Sequence, residues 1–305
     1  MLSNRPFQCP PALLARAQSA PPVRTAIANA GANLPLESAR LAVEAGVMEP
    51  VLVGDRNAIA AAAERIDWDI GGFETVDAAD EPAAGMTAAK LCGDGAADAL
   101  MKGHIHTDAF VRGILSRDAG LRTGRRLTHV FHMTVPDDDK VLLITDAAIN
   151  VAPDIETRLQ AAANAVDLAI ALGIDAPKVA VLSASEEATE TMPSTLDAAE
   201  ITARAVAEIP NASVYGPLAF DNAVSPEAAA IKEIDHPVAG HADILLVPTI
   251  ETGNALFKIM VYFMSACAAG IVMGAKVPAI LTSRADPPEA RLASAAIASI
   301  LAQQR

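Results

Sequence analysis

Aromatic residues are scarce, at 3% of a 305-residue chain, while hydrophobic residues as a whole reach 52%. Any core is therefore filled by Ala, Val, Leu and Ile, the set that suits Ala-rich helices laid on aliphatic strands. Cationic side chains are also in short supply: 23 Lys and Arg against 37 Asp and Glu leave a formal charge of −14. Such a chain repels phosphate backbones, which argues against nucleic acid as a partner. A small anionic ligand is still compatible, because a few local arginines outweigh a diffuse field. Cysteine is limited to Cys9, Cys92 and Cys267, far apart and with no CxxC or Cys/His spacing. Neither a disulfide framework nor a zinc site is indicated.

The longest apolar run, Phe257 to Gly274, is interrupted by Lys258 and diluted by Ser265 and Gly270, which is too short and too broken for a membrane span. The N-terminus lacks a charged-then-apolar signal pattern. Together these predict a cytoplasmic protein without a membrane partner. Glycine-rich fingerprints are missing too. The segment NAGANLPLES is neither GxGxxG nor a P-loop, and no GxSxG elbow occurs, so dinucleotide, P-loop and α/β-hydrolase chemistry lose ground.

What is present is alternation. RTAIANA, PVLVGD, ALMKG, KVAVLSA, ASVYGPLAF, ADILLVP and PAILTS read as strands. Helical runs lie between them: LPLESARLAVEAGVM, RNAIAAAAERI, TDAFVRGILSR, a long one from Asp154, STLDAAEITARAVAEI, SPEAAAIKEI and an apolar helix after Thr252. Strands alternating with helices imply βαβ units and a parallel sheet covered on both faces. THVFHMTV and KVLLITD flank the turn PDDD and read as an antiparallel hairpin. The reading is an α/β protein of two α/β/α domains with mostly parallel sheets and a cleft between them. Residues 1–150 with 286–305 form one, and 151–285 form the other.

In open α/β sheets ligands bind beyond the carboxyl ends of strands. The residues found there are repeatedly polar: Lys102-Gly103-His104-Ile105-His106-Thr107, Thr145-Asp146 with Asn150, Gly216-Pro217 with Asp221-Asn222, Thr252-Gly253-Asn254, and Thr282-Ser283-Arg284. The last group lies between a strand and a helix, where free N–H groups and the dipole favour phosphate and an arginine fork matches its oxygens. A surface arginine and a turn serine would look the same. Asp286-Pro-Pro-Glu289 fits a capping box, with Asp286 at the N-cap and Pro at the first helical position. A carboxylate here could also be a base. His104 and His106 are two ligands without a third, so no metal is expected. Arg122, Arg125 and Arg126 concentrate positive charge, as a solvated loop or as a dock for a nucleotide-like tail.

Six ordered blocks then carry a likeness: LMKGHIHT, LLITDAAINVAPD, MPSTLDAAEI, GPLAFDNAVS, ADILLVPTIETGNALFK and GAKVPAILTSRAD. With them the chain resembles the phosphate acetyl/butyryl transferases over nearly its whole length. GPLAFDNA and TSRAD are closer to the butyryl branch. The resemblance implies the isocitrate/isopropylmalate dehydrogenase-like architecture without a nicotinamide, a first domain completed by the C-terminal helix, and a homodimer. It implies the reaction acyl-CoA + phosphate ⇌ acyl phosphate + CoA by direct attack in a ternary complex, with no permanently bound cofactor. Carried over residue by residue, the catalytic set is Ser283 and Arg284, with Glu289 as a candidate base. The substrate-binding set is Gly103, His106, Thr107, Asp146, Asn150, Gly216, Pro217, Asp221, Gly253, Asn254 and Thr282, with Lys258 in the GNxxxK block. One departure stands out: the acetyl-branch aspartate seven residues after the serine is Ala290 here. That keeps open a non-catalytic acyl-CoA or acyl-phosphate binding module. The remaining alternative is a metal- and nicotinamide-dependent decarboxylating dehydrogenase of the same architecture, for which Asp146 and Asp221 are too isolated.

Overall fold

A computed structural model describes residues 2–138, 140–283 and 285–304. The elements run α1 (Pro11–Ala17), β1 (Val23–Ala28), α2 (Asn33–Glu44), β2 (Met48–Gly54), α3 (Arg56–Arg65), β3 (Glu74–Asp77), α4 (Glu81–Gly93), β4 (Ala99–Lys102) and α5 (Thr107–Leu115). They continue with β5 (Thr128–Thr134), β6 (Val141–Thr145), α6 (Ile155–Ala171), β7 (Lys178–Leu182), α7 (Pro193–Glu208), β8 (Ser213–Leu218), α8 (Phe220–Val224), α9 (Pro226–Ile231), β9 (Ile244–Leu246) and α10 (Ile250–Met264). The last are β10 (Cys267–Met273), β11 (Ala279–Ile280) and α11 (Pro288–Gln303). Two compact units result. A flanking unit joins Phe7–Arg125 to the chain from Ala269 onward, and a central unit comprises Arg126–Ala268 with the first residues up to Pro6.

In the flanking unit the strand order is β3-β2-β1-β4-β11-β10. The first five are parallel, and β10 runs antiparallel to β11. The order climbs outward from β1 to β3 on one side and jumps to β4 on the other, so β1 and β4 bound a topological switch point. α11 packs on α1, α2, β1, β4 and β11, and its face is built from Ala290, Ala293, Ala296, Ile297 and Ile300, all buried. Small residues let this helix lie close to the sheet.

In the central unit the order is β5-β6-β9-β7-β8. β5 and β6 form the expected antiparallel hairpin, with Val130 opposite Thr145 and Thr134 opposite Val141. The remaining pairs are parallel. The core gathers Phe131, Met133, Ile144, Leu182, Leu218, Leu245, Val247 and Phe257, and the Phe131 and Phe257 rings stack at 4.1 Å.

Sequence reading and fold agree on an α/β chain with mostly parallel strands; the reading does not contain α1, β3, α4 or α8, and it differs in four further places. The helix read through Met48 stops at Glu44, because Gly46 takes φ +72° and turns the chain into β2. The apolar stretch Phe257 to Gly274 is two elements: Ser265 at φ +53° ends α10, and β10 follows. No glycine or proline marks that break. The boundary placed after residue 150 falls behind the hairpin, whereas the compact units divide before it, since β6 pairs with β9. Finally, the N-cap of α11 is Pro287 rather than Asp286. Asp286 Oδ2 instead accepts a 2.6 Å hydrogen bond from the Ser283 N–H, closing a tight turn.

Candidate active site

The flanking unit holds an open hollow of ≈ 290 Å³, mouth included, lined by Leu34, Pro35, Ser38, Met101, Lys102, Gly103, Thr282, Ser283 and Arg291. Its walls follow from the topology: α2 follows β1, Lys102 ends β4 with Gly103 just beyond it, and Thr282 and Ser283 follow β11. The hollow thus sits at the carboxyl-end crevice beside the switch point. Gly103 is required there. A Cβ would lie 2.4 Å from the Ala28 carbonyl oxygen and 2.5 Å from that of Asn29. The Gly103 and His104 N–H groups donate to those two carbonyls at 2.9 and 2.8 Å. Asn29 Nδ2 returns a bond to the His104 carbonyl at 2.5 Å.

Thr282 and Ser283 line the same hollow as Gly103. Ser283 is exposed, and its Oγ accepts from the Ala285 N–H at 3.3 Å. Arg284 lies outside the described residues. His106 is the N-cap of α5 and Thr107 its first residue. The Glu81 carboxylate holds His106 twice, at Nδ1 (2.8 Å) and at the backbone N–H (3.1 Å). That pairing keeps the Glu81 carboxyl below the usual carboxylate range. Glu289, in the first turn of α11, is absent from the hollow's lining. Its charge reaches Cys9, whose thiol is pushed up to about 11 by burial first and by Glu289 second.

The candidates in the central unit are arranged differently. Asp146 is 4% exposed, and its carboxylate is saturated. Oδ1 accepts from the Ala148 and Ile149 N–H groups at 2.9 and 3.0 Å. Oδ2 accepts from the His129 N–H (3.1 Å), the Asn150 N–H (3.3 Å) and Asn150 Nδ2 (2.7 Å). Asn150 Nδ2 also reaches the Leu127 carbonyl at 2.9 Å. Asp146 and Asn150 therefore tie the β6 loop to β5. Gly253 stands against the same loop, where a Cβ would meet Ala147 Cβ at 2.7 Å. Asn254 follows it in α10, and Lys258 is exposed with Nζ 5.9 Å from the Phe257 ring centroid. Gly216 lies in β8 where a Cβ would be 2.4 Å from the Val181 carbonyl oxygen, with Pro217 buried next to it. Asp221 is exposed in the short α8.

Sequence reasoning missed Leu34, Pro35, Ser38, Met101 and Arg291. NAGANLPLES was set aside for lacking a glycine fingerprint, yet its helix start forms one wall. The available signal was positional: it is the loop after the first strand, next to a strand-order reversal. Arg122, Arg125 and Arg126 are exposed. Arg122 bridges Ala275 through the backbone, and the Arg126 N–H donates to Gln160 at 2.7 Å. Among the described residues no group of three or more His, Cys, Asp or Glu is placed to hold a metal ion.

An open α/β crevice beside a strand-order reversal, edged by Thr-Ser, a lysine and a buried arginine, has the chemistry to receive a small anion. Comparison with known proteins gives that chemistry a family. The model for "phosphate acetyl/butaryl transferase" matches residues 83–299. A Rhizobium meliloti phosphate acetyltransferase is 44% identical over 96% of this chain and 93% of its own length. A Clostridium beijerinckii phosphate butyryltransferase is 39% identical over 95% and 96%. The crystal structure of a branched-chain phosphotransacylase from Enterococcus faecalis superposes with a TM-score of 0.81 at 34% identity, covering 92% of this chain and 99% of that one. The chain belongs to the phosphate acetyl/butyryl transferase family.

Proposed function

We propose that this protein is a phosphate acyltransferase that moves a short acyl group, acetyl or butyryl, between CoA and inorganic phosphate in a ternary complex. The observation that carries the reading is the conjunction of Gly103, Lys102, Thr282 and Ser283 in one crevice, in a chain whose relatives are acetyl- and butyryltransferases. A phosphate oxygen attacks the thioester carbonyl carbon, forming a C–O bond as the C–S bond breaks. The electron pair leaves on sulfur. Holding the two reactants about 3–3.5 Å apart supplies much of the rate. Donors such as Ser283 that face the developing oxyanion contribute ~3 kcal/mol each when geometry is right. A thiol of reference pKa near 8.5 leaves as thiolate without a strong acid, so Ala290 in place of a carboxylate is compatible with turnover. Arg284 is assigned to the phosphate by its place in the TSR sequence.

A homodimer belongs to the same proposal. Ile259, Tyr262 and Phe263 are 51–53% exposed along one side of α10, and Met264 is 44% exposed, a patch that a second copy would cover. A cytoplasmic setting is supported by three cysteines of which none forms a disulfide. Among the described residues no helix is long and apolar enough to cross a membrane.

Thiol release from acetyl-, propionyl- and butyryl-CoA, with and without phosphate, tests the activity and ranks the acyl groups. Phosphate-dependent release is expected. Release that ignores phosphate, or CoA binding without release, contradicts the reading.

A further inference from the structure

Arg291 is placed where a helix least favours a cation. It lies in the first turn of α11, where the dipole's positive end opposes it. It is 8% exposed, yet it lines the hollow beside Thr282 and Ser283. Nη1 donates to the Asp286 carbonyl at 3.0 Å. Among the described residues the buried Nε has no hydrogen-bond partner. Burial draws the guanidinium's pKa down, and the carboxylates of Glu37, Asp286 and Glu289 oppose that shift. A buried cation with an unmet donor costs stability unless an anion completes it.

The surroundings fit an anion. Lys102 and Arg291 are among the lining residues, and none of them carries a carboxylate, in a chain of net charge −14. The opposite wall is the start of α2, a twelve-residue helix whose N-cap, Ala32, offers no side-chain cap. Pro35 has no N–H and the Leu36 N–H goes to the Ala32 carbonyl, so Asn33 and Leu34 supply the first-turn N–H groups, and with the dipole they favour negative charge. Pro35 and Ser38 line the hollow too, and Ser38 Oγ donates back to the Leu34 carbonyl at 2.7 Å.

We infer that Arg291 is a phosphate-binding residue: its guanidinium and the N-terminus of α2 together hold the reacting phosphate against Thr282 and Ser283. This rests on the acyltransferase reading above. In this chain the first turn of α11 then presents a cation to the crevice, while the position of the acetyl-branch carboxylate, Ala290, is fully buried. The turn binds the nucleophile instead of deprotonating a thiol.

The test compares wild type with Arg291→Met and Arg291→Lys. Wild-type thiol release must first depend on phosphate; if it does not, the acyltransferase reading fails before Arg291 is at issue. Arg291→Met should raise the KM for phosphate by ~30-fold, the loss of a charge-assisted bond, and leave the KM for acyl-CoA within about twofold. Because a methionine stem of similar length fills the site, its melting temperature should equal or exceed wild type. Should Arg291→Met not fold, Arg291→Lys decides, with the phosphate KM raised ~10-fold and the acyl-CoA KM unmoved. In the reverse direction the KM for acyl phosphate should rise and that for CoA should not. An unchanged phosphate KM, with or without a fall in melting temperature, reduces Arg291 to a structural role and overturns the inference. A shift in the CoA constant alone assigns the site to a CoA phosphate and overturns it equally.

Discussion

The two units use similar-looking polar loops for opposite purposes. In the flanking unit, Lys102, Ser283 and Arg291 border an open hollow together with Gly103 and the start of α2. In the central unit, Asp146 spends its carboxylate on five donors, and Gly216 and Gly253 are wedged against backbone and side-chain atoms. Polar residues after strands therefore have two settings: along an open hollow, and in loops whose polar groups are spent on their own backbone. Substitutions should separate them, with stability lost in the central unit and catalysis lost in the flanking one.

The largest stability effect belongs to Asp146→Ala. Stranding its buried partners should cost about 3–5 kcal/mol in urea unfolding, because unmet buried donors cost far more than a satisfied bond gains. An effect below 1 kcal/mol would make the network incidental. Next is acid sensitivity. Burial lowers the pKa of His132 from 6.5 to about 4, so between those values the unfolded chain binds the extra proton and the native state does not. Stability is intact above pH 6.5 and falls on acidification toward pH 4, by about 3 kcal/mol from this residue. A His132→Leu variant should flatten that part of the pH–stability curve, and an unchanged slope would refute the assignment. Gly253→Ala follows at about 1–3 kcal/mol, since its Cβ would press on Ala147.

Ser283→Ala should reverse the pattern: turnover reduced at least ~10-fold with unfolding free energy within about 0.5 kcal/mol of wild type. Smallest is Glu81→Gln, which removes an exposed pair with His106 and should shift stability by less than about 1 kcal/mol.

Much of this was legible before any coordinates. The alternation of strands and helices and the hairpin around PDDD follow from periodicity, and the polar character of the segments holding Gly103 and Thr282-Ser283 follows from their place after strands. Three things were not legible. Ser265 divides the mostly apolar stretch from Phe257 to Gly274 by adopting a left-handed conformation that no adjacent glycine or proline announces. Asp286 has the spacing of an N-cap but bonds backward to Ser283, because two prolines displace the helix start by one residue. Arg291 looks like any helical surface arginine, and only the packing of α11 on the sheet reveals it as buried. Strand order, which places the crevice, is a long-range property that local pattern does not encode.

The central claim is direct transfer from the thioester to phosphate, with no acyl-enzyme between them. Initial rates over a grid of acyl-CoA and phosphate concentrations test it. Reciprocal plots that intersect at a common point are predicted, since both substrates must be bound before the acyl group moves. Parallel lines, with exchange of labelled CoA into acyl-CoA in the absence of phosphate, would demonstrate a covalent intermediate and contradict the account.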